Sequence, residues 1–236
     1  MTTAIFSTPT DPSEKFLIKP PPQALIRNEL ARTGTLMVRI IGAPGSGKTE
    51  LIAATIKHLF APRRVAVIVI NPAAQRDADK LRPLCHHVES IDVAVPRAQL
   101  VWHAIQAMNL KEIDLILIEA CGGLAPLDDL GQAATVSAFA ISSGDDKAAE
   151  YHTLVENSSI VLLTQIDIWS MMKFNDEVFR RDVHAVNSTA QIFEVSAVTG
   201  IGMSHWLEWL ESAQAAKKRR NMLQELETPH SDVYFG

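Results

Sequence analysis

The chain has 236 residues, 47% hydrophobic and 21% charged, and a formal net charge of −5 at pH 7. This composition excludes wholesale disorder and fits one large domain, against a usual size of roughly 100–200 residues. The acidic balance argues against a surface built to track nucleic-acid phosphates, and the longest apolar runs fall far short of the roughly 18 residues a membrane span needs.

Residues 1–34 read as a proline-containing lead-in (Pro9, Pro12, Pro20, Pro21 and Pro22) with a short amphipathic helix expected over 23–32. The opening residues lack a basic start followed by an apolar core, so no secretory signal is expected and a cytoplasmic location follows. Two cysteines, Cys85 and Cys121, are too few for a disulfide framework and fit a reducing compartment.

From Leu36 onward, short apolar runs alternate with helix-length segments. Strands are expected at 36–41, 65–70, 87–91, 113–118, 134–141, 160–163 and 191–195. Helices are expected at 48–60, 74–83, 97–108, 146–157, 175–186 and 203–212. Apolar runs without alternation belong to strands buried on both faces. The pattern therefore predicts a three-layer α/β domain over residues 35–214, with a mostly parallel sheet of about seven strands and helices on both faces. Residues 215–236 form a polar tail with a basic run, Lys217 to Arg220, expected to be solvated.

Gly42-Ala43-Pro44-Gly45-Ser46-Gly47-Lys48-Thr49 follows the first strand and opens a helix at Glu50. It matches the phosphate-loop pattern in full and in the required context. Such a loop turns its backbone N–H groups toward phosphate oxygens, and the helix N-terminus adds positive potential. Lys48 is then expected to contact the β- and γ-phosphates, and the Thr49 hydroxyl to ligate Mg²⁺. Glu119 closes the strand Ile-Asp-Leu-Ile-Leu-Ile-Glu, where an acid holds the Mg²⁺ or its water, and Gly122 offers an N–H to the γ-phosphate.

Two further segments address the base. Thr164-Gln165-Ile166-Asp167 follows an apolar strand and resembles the [NT]-[KQ]-x-D guanine-reading motif of GTPases. A carboxylate at Asp167 accepts from guanine N1–H and N2–H, a donor pair that adenine lacks. Gln165 supplies an alkyl stem to cover the base without a lysine's charge. One strand later, Ser196-Ala197-Val198 looks like the second guanine loop, in which an N–H near Ala197 meets guanine O6.

Together these motifs resemble the hydrogenase nickel-incorporation GTPases called HypB, cousins of the urease accessory GTPases, over about residues 36–212. The carriers are GAPGSGKTELI, Glu119 and Gly122 in the place of an E-N-V-G segment, SSGDDKAAEYHTLVENSSIVLLTQID, and VSAVTGIGMSHWLEWL. The resemblance implies a P-loop GTPase that binds GTP and GDP with Mg²⁺, dimerises when GTP binds, and assists nickel insertion into a metalloenzyme such as hydrogenase, alone or with a fellow accessory protein. It also implies that Lys147 reaches toward the partner subunit's nucleotide.

Several positions depart from the family pattern. With Asp77-Ala78 aligned to the family's Asp-Ala pair, Asn71 stands where a Mg²⁺-associated Asp is usual. Residues 92–96 (Asp-Val-Ala-Val-Pro) carry none of the family's nickel- or zinc-binding Cys-His, and Ala125-Pro126 replaces a Cys-Pro. Cys85, His86, His87 and Cys121 are the remaining soft ligands, but Cys85 precedes its strand, and adjacent strand residues point to opposite faces. Three readings stay open: a GTPase serving metal delivery, a GTP-binding switch or scaffold with little hydrolysis, and a small-molecule kinase on the same phosphate loop.

Overall fold

The computed structural model describes residues 20–59, 64–71, 74–93, 97–121 and 128–227. The prolines before residue 20, together with Gly122, residues 94–96 and Ala125-Pro126, lie outside them.

Seven parallel strands form one sheet in the order β3-β2-β4-β1-β5-β6-β7. They are β1 (Leu36–Gly42), β2 (Val65–Ile70), β3 (His87–Ile91), β4 (Leu115–Cys121), β5 (Ala134–Ala140), β6 (Ile160–Thr164) and β7 (Gln191–Val195). The chain order reverses direction across β1, so the central strands β4, β1 and β5 open a crevice at their C-terminal ends. In-register pairing of Gly42 with Cys121 and of Ile40 with Glu119 brings the end of β1 level with the end of β4.

Both faces of the sheet are covered, as the unbroken apolar strands require. On one face Met37, Ile116 and Val161 meet α1 (Pro22–Thr33), α4 (Ala98–Gln106), α6 (His152–Glu156) and α7 (Asp176–Val186), through Ile26, Leu30, Val101, Leu154 and Phe179. On the other, Val38, Val67 and Leu162 meet α2 (Lys48–His58), α3 (Ala74–Leu81) and α8 (Met203–Glu227), through Leu51, Ile52, Ala78 and Trp206. Trp206 is fully buried, and its indole N–H donates to the Thr55 hydroxyl at 2.8 Å, fastening α8 to α2.

Three elements differ from the sequence expectation by a break or by more than two residues at an end. The helix expected over 146–157 is two short helices, α5 (Lys147–Glu150) and α6, broken at Tyr151, whose backbone leaves the helical region while its ring packs on the core. The strand expected at 113–118 starts later and runs on to Cys121, because Ile113 closes a 3-10 turn over Leu110–Glu112. The last helix continues to Glu227, so the basic run lies inside it. The segment from Ala213 to Asn221 is rich in Ala, Lys, Arg and Gln, good helix formers, with no Gly or Pro. Gln214 donates to the Asp114 carbonyl and Asn221 to the Ala31 carbonyl, tying the extension down.

Candidate functional site

A cleft of about 770 Å³ lies across the C-terminal ends of the central strands. Its floor is the loop between β1 and α2. Gly42 must be a glycine, because a Cβ there would stand 2.5 Å from both the Ala138 carbonyl oxygen and Ser46 Oγ. Gly47, at φ +75°, lets the loop turn into α2 so that the helix N-terminus faces the cleft.

Lys48 is almost fully buried and extends under the loop. Its ammonium donates to the carbonyls of Gly42 (3.0 Å) and Ala43 (2.9 Å) and to Ser46 Oγ (3.2 Å). Burial pulls its pKa below the ordinary lysine value, against the opposing influence of Cys121, Glu119, Asp77 and Glu50. Thr49 Oγ1 donates to Glu119 Oε1 at 2.7 Å. The other carboxylate oxygen, Glu119 Oε2, is buried with no hydrogen-bond partner among the described residues. Burial raises the Glu119 pKa, only partly offset by the Thr49 hydrogen bond and the Lys48 charge.

Asn71 enters from the β2–α3 connection and Asp77 from the first turn of α3. The Asn71 amide donates to Asp77 Oδ2 at 3.1 Å, and Asp77 lines the cleft. The sequence reading gave Asp77 no role in the site. The available signal was an acid in the first turn of the helix after β2, at the same sheet edge. Thr49, Asn71, Asp77 and Glu119 line the same cleft with a hydroxyl, a carboxamide and two carboxylates, all hard oxygen donors, and the Glu119 carboxylate keeps one unpartnered oxygen, so the chemistry of the set fits Mg²⁺. Glu50 and Lys80 sit at the rim as an exposed pair 3.5 Å apart.

The base end is assembled from β6 and β7. Thr164 Oγ1 lies 2.9 Å from the Ser46 carbonyl and 3.2 Å from that of Phe139, fastening β6 to the phosphate loop. Asp167 faces the cleft, and its Oδ1 accepts from the buried Ser196 hydroxyl at 2.6 Å. Ser196 Oγ in turn accepts from Thr199 N–H at 3.1 Å. Ala197 and Val198 form the opposing wall, Val198 being 82% exposed. Gln165 adopts φ +62°, the one positive φ of a non-glycine residue among those described, and its side chain returns to the phosphate loop.

The remaining candidates separate. Lys147 opens α5 and lines a second cleft of about 310 Å³, which shares Pro44 with the first. Its ammonium pairs with the Glu150 carboxylate, which raises its pKa. Cys121 lines the main cleft. Cys85 packs at the opposite end of the sheet, beside His86, whose N–H donates to the carbonyl of Val65 where β2 begins. The length of β4 puts the two thiols roughly 20 Å apart, so they do not share a ligand. Burial pushes the Cys85 thiol up to about 12. His87 pairs with Glu89 at 2.7 Å. Among the described residues, no group of three His, Cys, Asp or Glu side chains is placed to hold a metal ion.

The nucleotide-binding domain model described as CobW/HypB/UreG matches residues 36–194. The hydrogenase maturation factor HypB of Azotobacter vinelandii is 29% identical over 190 residues, covering 78% of this chain but 62% of that protein, less than two thirds of its length. Among solved structures, HypB from Archaeoglobus fulgidus aligns with a TM-score of 0.74 at 24% identity, covering 82% of this chain and 97% of that one. HypB from Helicobacter pylori in complex with nickel aligns at 0.77 and 21% identity, covering 84% and 95%. At these identities the structural likeness is one of fold alone.

Proposed function

This chain belongs to the CobW/HypB/UreG family of nucleotide-binding domains, and from that membership we propose that it is a GTPase that serves the maturation of a metalloenzyme such as a nickel hydrogenase. The observation that carries the nucleotide reading is a single cleft lined by Pro44, Gly45, Gly47, Lys48 and Thr49 of the phosphate loop and by Asp167, whose carboxylate accepts from Ser196. The Asp167 carboxylate suits the two donors on the guanine edge, and Ser196 fixes the rotamer that presents it. Loop N–H groups and Lys48 bind the phosphates, with Lys48 exchanging its loop carbonyls for phosphate oxygens.

Thr49 and Glu119, with Asn71 and Asp77 beside them, would hold Mg²⁺, which supplies charge neutralisation at the β- and γ-phosphate oxygens. Water attacks the γ-phosphate, and Lys48 and the loop N–H groups stabilise the charge that develops. Gly122 completes the set as a γ-phosphate donor in this proposal. Lys147 acts across a GTP-dependent homodimer, contacting the partner's nucleotide and releasing it after hydrolysis.

Nickel is cargo rather than a resident group. Residues 92–96 offer neither thiol nor imidazole, so no tight nickel or zinc binding is expected at that position. The protein works in the cytoplasm. Asn71 favours a second reading: a neutral amide in place of the family's acid suits slow turnover and a GTP-bound switch or scaffold. One experiment tests both. Calorimetry with GTP, GDP and ATP, paired with GTP turnover in Mg²⁺, should show guanine preference and measurable hydrolysis. Equal ATP and GTP affinity sinks the guanine assignment, and guanine preference without turnover selects the switch.

A further inference from the structure

Gln165 carries two anomalies at once. It is a non-glycine residue held in the left-handed region, and its side chain is engaged at both ends by other loops. A left-handed backbone at a non-glycine residue persists only where its surroundings enforce it, and such outliers collect at functional sites. The Gln165 Nε2 donates to the Gly45 carbonyl in the phosphate loop at 3.2 Å, while its Oε1 accepts from the Ser142 hydroxyl at 2.5 Å. Ser142 lies in the 3-10 turn Ile141–Ser143 at the end of β5, five residues before Lys147.

We infer that Ser142, Gln165 and Gly45 form a positioning relay, in which the Gln165 carboxamide locks the phosphate loop to the turn that leads to Lys147, and that Ser142 is a positioning residue for nucleotide binding. The inference rests on the guanine-nucleotide reading of this cleft, since it assigns a further part of that site. The chemistry selects glutamine. The Gly45 end needs a donor and the Ser142 hydroxyl is satisfied by an acceptor; a carboxamide offers one of each, about 2 Å apart, whereas an ammonium has donors only. Only one orientation of the amide meets both partners, so losing Ser142 also loosens the Gly45 end. The left-handed backbone is what turns residue 165 toward the phosphate loop while Asp167, two residues on, faces the base.

The test uses wild type, Ser142→Ala, Gln165→Gly and the double variant. Glycine suits the left-handed backbone at least as well as glutamine, so Gln165→Gly removes the carboxamide without demanding a new backbone conformation. GDP affinity and release rate are measured by calorimetry and stopped flow. Ser142→Ala should weaken GDP roughly three- to tenfold, the size of one neutral hydrogen bond, Gln165→Gly should weaken it further because it loses both hydrogen bonds and the stem over the base, and the double variant should be no worse than Gln165→Gly alone. Independent, multiplying losses, or a Ser142→Ala protein that binds as wild type does, would overturn the relay. Hydrogen exchange of the nucleotide-free proteins reads the same relay without any ligand: the loop around Gly45 should exchange faster in both single variants. Unchanged exchange there also overturns it, whereas faster exchange in a protein that prefers ATP keeps the relay and removes the guanine reading.

Discussion

Asp167→Asn is the sharpest perturbation of the base site, because the structure fixes which way the new amide points. Asp167 Oδ1 accepts from Ser196 Oγ at 2.6 Å, and Ser196 Oγ already accepts from Thr199 N–H, so its own proton is committed to residue 167. In the variant the asparagine carbonyl takes that proton and its NH₂ replaces Oδ2. The guanine N1–H and N2–H donors then meet another donor. Two hydrogen bonds to a charged acceptor are lost, each worth about 1.5–3 kcal/mol, so GDP affinity should fall by roughly 10²–10⁴-fold. Xanthine carries a carbonyl where guanine has its amine, and it should gain correspondingly. The added variant Asp167→Asn/Ser196→Ala frees the amide to flip, so part of the GDP affinity should return and the xanthine preference should shrink. Competition calorimetry with GDP, XDP and ADP on the three proteins decides the matter. If Asp167→Asn binds GDP within threefold of wild type, or if removing Ser196 leaves the discrimination untouched, the assignment of this pair to the base edge is wrong.

Lys48→Ala should abolish most triphosphate binding, read by calorimetry, since the ammonium meets the most charged part of the ligand. Glu119→Gln should spare nucleotide binding but cut turnover. It should also change the pH dependence of stability: burial raises the Glu119 pKa above 4.5, so the folded state binds its proton more readily than the unfolded chain. The stability this group contributes is complete below about 4.5 and is lost as pH rises through the folded pKa. Wild type should therefore lose stability relative to Glu119→Gln over that window, and parallel melting-temperature profiles would contradict the buried-carboxylate account. Lys147→Ala should no longer dimerise with a non-hydrolysable GTP analogue, while wild type should show a larger mass by light scattering with the analogue than with GDP. Thiol titration at pH 8 should find Cys121 reactive and protected by GDP, and Cys85, buried with its pKa near 12, unreactive; a reactive Cys85 would contradict its packing.

The local part of this architecture was legible in the chain itself. Unbroken apolar runs define strands that must be covered on both faces, and the spacing of Gly42, Gly45, Gly47, Lys48 and Thr49 encodes a phosphate-loop turn in a short stretch of chain. What local pattern leaves open is which segments meet. The resemblance marks Asn71 as a metal-site position, but the sequence reading does not bring Asp77 to Glu119; the β3–β2–β4–β1 order of the sheet places all three in one cleft. Arg39 is the one charge in the otherwise apolar strand β1. The fold buries it to 1% exposure, lets its guanidinium donate to the Asp128 carbonyl, and pulls its pKa down to about 10 through desolvation. The extension of α8 past residue 212 and the break at Tyr151 depend likewise on long-range contacts, with Asp114 and Ala31 in one case and the core in the other. Ser142 and Gln165 stand 23 residues apart and join only because β5 and β6 end side by side. Sequence sets what each short segment can do with its own backbone and hydrophobic period. Polar partnerships between distant segments are set by strand order and register, which no short window of residues contains.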